Sequence, residues 1–171
     1  MSETVNTLLE EALEAWSYAR GGVIDEAANI GDERYDWRPH DEARSVRELL
    51  LHIVESGMMM AGELSRPDGD FQRLSFPQLV AEHADGLAVD AGPAELRDLL
   101  RSTLDDGSAS LRDAGEIHML QRIRRFDGEY GTRLAWMHHG VAHEEYHRGQ
   151  LAMYARSMGL VPALTRLIHG G

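Results

Sequence analysis

The chain has 171 residues, 43% hydrophobic and only 6% aromatic, enough to bury one core, and its weighting toward Leu, Ala and Met favours helix over strand. Its 29 acidic residues outnumber 17 basic ones for a net charge of −12, a field that repels phosphate backbones and anionic headgroups, so neither nucleic acid nor a membrane is an expected partner. All 17 basic residues are arginine and cysteine is absent, which excludes Schiff-base lysines, phosphate-loop lysines, cysteine nucleophiles and thiolate zinc sites.

The opening Met1-Ser2-Glu3-Thr4 is acidic and carries no basic-then-apolar leader, and no run of 18 uncharged apolar residues occurs, so a cytoplasmic location is expected. From about Thr4 to Ile30, apolar residues at Val5, Leu8, Leu9, Ala12, Trp16, Ala19, Val23 and Ala27 keep helical spacing and predict the first helix. Gly31 to Arg44 is dense in charge, contains Pro39 and reads as a loop that Trp37 pins to the core. Ser45-Val46-Arg47-Glu48 has capping-box spacing and opens a second helix that runs to about Leu64.

Ser65 to Gly92 is long for a bundle connection, holds Pro67 and Pro77, and predicts a crossover with a short helix after Ser75. Pro93 suits the first turn of a third helix, marked by Leu96, Leu99, Leu100, Thr103, Leu104 and Leu111 and weakened in the middle by Gly107. A basic patch at Arg122, Arg124 and Arg125 precedes a turn over Asp127 to Gly131. The last helix then spans Thr132 to Met158, with Gly159 ending it and Pro162 beyond. The expectation is an all-α four-helix bundle forming one domain over residues 1–171.

Four of the nine histidines fall between positions 138 and 147, and His139, His143 and His147 recur every fourth residue. At helical pitch they share a side with Trp136, Gly140, Gln150, Leu151 and Tyr154, where the core belongs. Each buried imidazole without a partner costs about 1–3 kcal/mol, and a divalent cation bound by the His143/His147 pair removes that cost. Two ligands rarely suffice, and His52, at the edge of the stripe formed by Val46, Leu49, Leu50, Ile53, Gly57 and Met60, is the candidate third. A lone histidine in such a place is more often a core residue bonded to a carbonyl; only the company of the pair promotes it. Three neutral imidazoles would leave coordination positions open, as catalytic sites do, and Zn, Ni, Fe or Mn all accept such ligands. Gly149 reads as a place for close helix approach, and Met58, Met59 and Met60 as gap-filling core and surface.

His143-Glu144-Glu145-Tyr146-His147 also satisfies the H-E-x-x-H pattern, in which the glutamate is the general base of a zinc protease. No Asp or Glu follows His147 to complete such a site, and the glycine of the extended pattern is out of register, so this reading is disfavoured.

Trp37-Arg38-Pro39, the run Ser45 to Ile53 that contains His52, and His143-x-x-x-His147-Arg148-Gly149-Gln150 together resemble the DinB-like superfamily of damage-inducible bundles, in content and in order. The resemblance implies an up-down-down-up bundle in which the long second connection crosses over, and a metal triad at His52, His143 and His147. His139 and Gln150 are then candidates, outside the triad itself, to orient a ligand or a water. It also implies activities such as low-molecular-weight-thiol S-transfer with bacillithiol, mycothiol or glutathione, or thiol-dependent isomerisation, on a small-molecule substrate by a homodimer. Pro39-His40-Asp41-Glu42 departs from the short Pro-Gly turn of many relatives. The alternatives that remain are a non-catalytic metal-binding stress-response bundle, and a bundle whose histidines merely bond to core carbonyls.

Overall fold

The computed structural model describes residues 6–87 and 90–170; Thr4 and Val5, where the first helix was expected to begin, lie outside the described residues. Four long helices make the bundle: α1 (Leu8–Ile30), α2 (Val46–Ser65), α4 (Pro93–Ala114) and α6 (Arg133–Ser157), joined by the shorter α3 (Phe76–His83) and α5 (Glu116–Met119) and followed by α7 (Ala163–His169). Among the described residues no helix is long and apolar enough to cross a membrane.

The starts are set by local chemistry. Thr7 Oγ1 accepts from the Glu10 N–H at 3.2 Å to open α1. At α2, Ser45 Oγ accepts from the Glu48 N–H at 3.2 Å while Glu48 accepts from the Ser45 N–H at 2.7 Å, the reciprocal pair that the sequence spacing predicts. Thr132 caps α6 by accepting from the Ala135 N–H.

Contacts along the helices fix their directions. Trp16 and Gly22 of α1 meet Glu144 and Arg148 of α6, so these helices are parallel. His52 and Leu64 of α2 meet His143 and Arg133 of α6, so that pair is antiparallel. Glu10 and Arg20 of α1 meet Arg112 and Leu100 of α4, again antiparallel. This is the up-down-down-up order, with α2 and α4 parallel and the connection between them crossing the bundle end.

The core has two halves. Leu9, Leu13, Trp16, Leu64, Leu111 and Met137 fill one, and Val23, Ile30, Leu50, Ile53, Leu100 and Leu151 fill the other. Between them lies a polar layer of Arg20, Thr103 and Glu144, all buried. Helices approach closely on glycine here. A Cβ on Gly107 would lie 2.6 Å from Trp16 Cη2 and 3.0 Å from Ala61 Cβ, so the residue that weakens α4 by propensity is required by packing. Gly107→Ala is expected to cost about 1–3 kcal/mol through overpacking, read as a lower denaturant midpoint. Gly149, by contrast, has open space around it and mediates no helix approach; Gly140, where a Cβ would collide with Met60, does that on α6.

The crossover is anchored by Glu63, whose buried carboxylate accepts from the Asp70 N–H at 2.8 Å, from Arg73 Nε at 2.8 Å and Nη2 at 2.7 Å, and pairs with His83 Nε2 at 2.9 Å. Burial pushes this carboxyl up, but the hydrogen bonds from Arg73, His83 and the Asp70 backbone outweigh it and hold its pKa at about 2, against an ordinary 4.5. A depressed carboxyl contributes stability above pH 4.5 that is lost as the pH falls toward 2. Glu63→Gln is therefore expected to lower stability by about 1–3 kcal/mol at neutral pH. The gap to the parent should narrow on acidification, as melting curves between pH 7 and 2 would record.

Three features depart from the sequence reading. The basic patch and its following turn form a small antiparallel hairpin, β1 (Arg122–Arg124) with β2 (Tyr130–Thr132), registered Arg122 to Thr132, and Phe71 of the crossover donates its N–H to the Arg124 carbonyl at 3.0 Å. Beyond Pro162 the chain forms a further short helix, α7, which the sequence reading did not assign. In the first loop Tyr35, 1% exposed, is the pin, while Trp37 is half-buried and leans edge-on against Tyr154 at 5.3 Å.

Candidate metal centre

The α2–α6 seam carries the site. Antiparallel packing brings His52 opposite the first two turns that follow Gly140, and His143 and His147 sit one turn apart on α6. His143 Nε2 lies 3.2 Å from His52 Nε2 and 3.0 Å from His147 Nε2, and a ligand atom from each of the three falls within 4.8 Å of the others. Two nitrogens each about 2.0–2.1 Å from one cation stand roughly 2.9–3.4 Å apart at octahedral to tetrahedral angles, so the two short separations fit a shared ion.

Hydrogen bonding alone does not satisfy these rings. Gln150 Oε1 lies 2.7 Å from His147 Nδ1, in the amide orientation that lets Gln150 Nε2 donate to the Tyr146 hydroxyl at 3.2 Å. His147 Nδ1 is then the protonated nitrogen and its Nε2 presents a lone pair to His143. A neutral His143 has at most one proton on Nε2. If it gives that proton to His147 it has no lone pair for His52, and if it has none it faces His147 lone pair to lone pair. One of the two contacts stays frustrated unless a cation sits among the rings.

The electrostatics keep the rings neutral. Burial lowers His52 to about 4, helped by the positive charge of Arg44 and by the two other imidazoles. Burial lowers His143 to about 4 as well, with His147, His139 and Arg44 adding to it. His147 is lowered by burial, against the opposing effect of the hydrogen bond it donates to Gln150. Neutral imidazole is the form that binds metal, so the desolvated seam prepares all three for ligation at neutral pH.

Of the two further candidates, Gln150 touches the triad and His139 does not. His139 is exposed and stacks on Trp136, centroids 4.3 Å apart and planes within 13°. His83 and His118 lie elsewhere, on Glu63 and on the Leu64 carbonyl.

Glu144, the acid of the H-E-x-x-H pattern, faces α1. Its Oε1 accepts from Trp16 Nε1 and Arg20 Nη2, each at 2.6 Å, and its Oε2 accepts from Arg20 Nε at 2.8 Å. With both oxygens engaged and only 2% of the residue exposed, it is a structural clamp, not a base for a metal-bound water. Sequence reasoning also passed over Arg44 and Ser56. Arg44 has no ion-pair partner among the described residues, yet its charge reaches all three imidazoles; its place just ahead of the Ser45 cap was the available signal. Ser56 follows His52 by one helical turn and so shares its face.

Comparisons with known proteins point one way. Among curated proteins none matches this sequence. Among solved structures the chain is similar to YfiT from Bacillus subtilis, described as a probable metal-dependent hydrolase with an unusual four-helix bundle topology, at 17% identity and a TM-score of 0.69 over 94% of this chain and 93% of that one. It is also similar to the DinB-like protein YjoA from Bacillus subtilis, at 21% identity and a TM-score of 0.66 over 87% and 92%. A mycothiol-dependent maleylpyruvate isomerase shares 14% identity and a TM-score of 0.67 over 86% of this chain and 63% of its own. These likenesses establish the shared fold. The DinB superfamily model matches residues 15–151, most of the chain and all three convergent histidines, and the chain therefore belongs to the DinB superfamily.

Proposed function

We propose that this chain is a single-domain, divalent-metal-dependent enzyme in which His52, His143 and His147 hold Zn, Ni, Fe or Mn and an external low-molecular-weight thiol serves as cosubstrate. The observation that carries the reading is the frustrated contact among three neutral imidazole nitrogens, 3.0 and 3.2 Å apart, which a cation relieves. A bound dication supplies the acidity that converts a thiol, with an ordinary pKa near 8.5, to thiolate at neutral pH.

The chain's own groups favour a thiol over water. A bound dication would acidify water as well, but the glutamate base that an H-E-x-x-H hydrolase adds is missing here, because Glu144 is committed to Arg20 and Trp16. A thiol is acidic enough to need no such base. Gln150 fixes the His147 tautomer, and Arg44 offers a cationic berth for the carboxylates of glutathione and bacillithiol, which mycothiol does not have. In the reaction the thiol sulfur forms the new bond to an electrophilic carbon as that carbon's bond to chlorine or to the epoxide oxygen breaks; chloride leaves with the electron pair and the thiol proton passes to solvent, whereas the opened epoxide oxygen keeps the pair and takes up a proton. The similarity to a mycothiol-dependent isomerase supports the choice of cosubstrate.

The test is elemental analysis of protein purified without a histidine tag, followed by turnover of chlorinated aromatic and epoxide acceptors with bacillithiol, mycothiol and glutathione. About one metal per chain and thiol-dependent turnover are expected. Metal-free protein that stays inert to added Zn, Ni, Fe and Mn would overturn the whole reading. A metal-loaded protein inactive with every thiol would overturn its catalytic half and leave a metal-binding bundle.

A further inference from the structure

The seam does not close behind the triad. One turn beyond His52 and His143, α2 and α6 separate around a cavity of about 100 Å³. Its wall combines Met59 and Met60 of α2 and Trp136 of α6 with Phe71 and Phe126, which the crossover and the hairpin deliver from outside the bundle. The two methionines, read from sequence as filling, also line this cavity. The rings stand at angles to one another, Phe71 to Phe126 at 4.9 Å and 48°, Phe71 to Trp136 at 5.8 Å and 54°. Phe76 and Phe126, 43% and 37% exposed, mark where the cavity meets solvent. His143 lies at its inner side.

One polar group in this wall has no partner. Ser56 is 8% exposed, and its Oγ, buried from water, makes no hydrogen bond, although a serine in mid-helix ordinarily bonds to the carbonyl one turn back. A buried hydroxyl left unpaired costs free energy, and such groups in folded proteins ask for an explanation. Wider surface depressions elsewhere, between α1 and α4 and beneath α7, are bordered by charged residues and do not touch the histidines.

We infer that this cavity binds the organic substrate, and that the substrate's reactive end is a single aromatic ring bearing one oxygen substituent, bonded by Ser56. The size limits the occupant to one ring: a dry cavity of about 150 Å³ accepts benzene, and the unbranched methionines yield to make up the difference. The wall selects an aromatic, because ring edges and thioether sulfurs both gain from contact with a π system beyond simple burial. The hydroxyl sets the orientation, turning the oxygen toward α2 and the rest of the ring toward His143. The role as electrophile rests on the proposed metal-dependent reaction, but occupancy of the cavity does not.

Binding is measured on the protein both free of metal and loaded with Zn, by following the methionine methyl signals during titration with phenol, toluene and cyclohexane. Saturable shifts of the Met59 and Met60 methyls are expected for both aromatics, with phenol roughly tenfold tighter than toluene, the worth of one hydrogen bond to a buried hydroxyl. Cyclohexane should bind more weakly than either. Ser56→Ala should bring the phenol-to-toluene affinity ratio to one or below, because the phenol hydroxyl is then the unpaired group, while leaving toluene affinity unchanged or improved. No saturable shift with any ring, shifts confined to other methionines, or a ratio unaltered by Ser56→Ala would each overturn the assignment. Since the metal-free titration reads the cavity alone, its failure is distinguishable from an absence of metal or of thiol-dependent turnover.

Discussion

Glu144→Ala is expected to destabilise the protein by about 3–5 kcal/mol, because it leaves the Arg20 guanidinium, 0% exposed, without a counter-charge in the middle of the bundle. Arg20 would retain the Leu100 carbonyl at 2.8 Å and the Thr103 hydroxyl at 3.1 Å, which bond to Nη1 but cannot neutralise the charge. For a domain of this size the loss corresponds to a melting point lower by roughly 6–20 °C. The fraction that remains folded should still bind metal, since the Glu144 oxygens are taken up by α1 and not by the histidines. A variant that melts like the parent but loses activity would reverse the argument and restore Glu144 as a catalytic base.

The second large effect concerns the triad. His143→Ala removes the ring that both other imidazoles approach, and His147→Ala removes the ring that Gln150 orients. Since even a partner one bond outside the ligand set is worth about 10–100-fold in metal affinity, loss of a direct ligand should weaken binding by more than about 100-fold. Elemental analysis after gel filtration would show this as near-empty protein. His118→Ala is expected to keep full metal content, and His83→Ala to keep it while melting lower through the loss of a Glu63 partner. Equal loss of metal from all four variants would remove the assignment.

Much of the seam was readable in the amino-acid order, for a physical reason: imidazoles four residues apart on an otherwise apolar helix face have few ways to be satisfied. The Ser45 cap, the crossover and its short helix after Ser75 were readable likewise, because capping and proline effects act within a few residues. What escaped was non-local. Arg20 pairs across 124 positions with Glu144, and helical spacing, which sets each among apolar neighbours, cannot name a partner on another helix. Arg133 and Arg148 are buried against expectation for the same reason. A hairpin with three-residue strands leaves too short an alternation to notice between arginines. The Ser56 vacancy arises only where Phe71 and Phe126 arrive from distant segments, so no local pattern announces it.

The parallel pairing of α1 with α6 has a consequence for biosynthesis. The first helix cannot complete its buried half until the last one leaves the ribosome, and the contact from His52 to His143 spans 91 positions. Loop closure on that scale precedes any reward from packing, so folding should be slow for a helical protein of this length. A nascent chain stalled before residue 132 would expose leucine-lined helices and leave His52 without its two partner rings, so closure of that seam marks the final step of assembly.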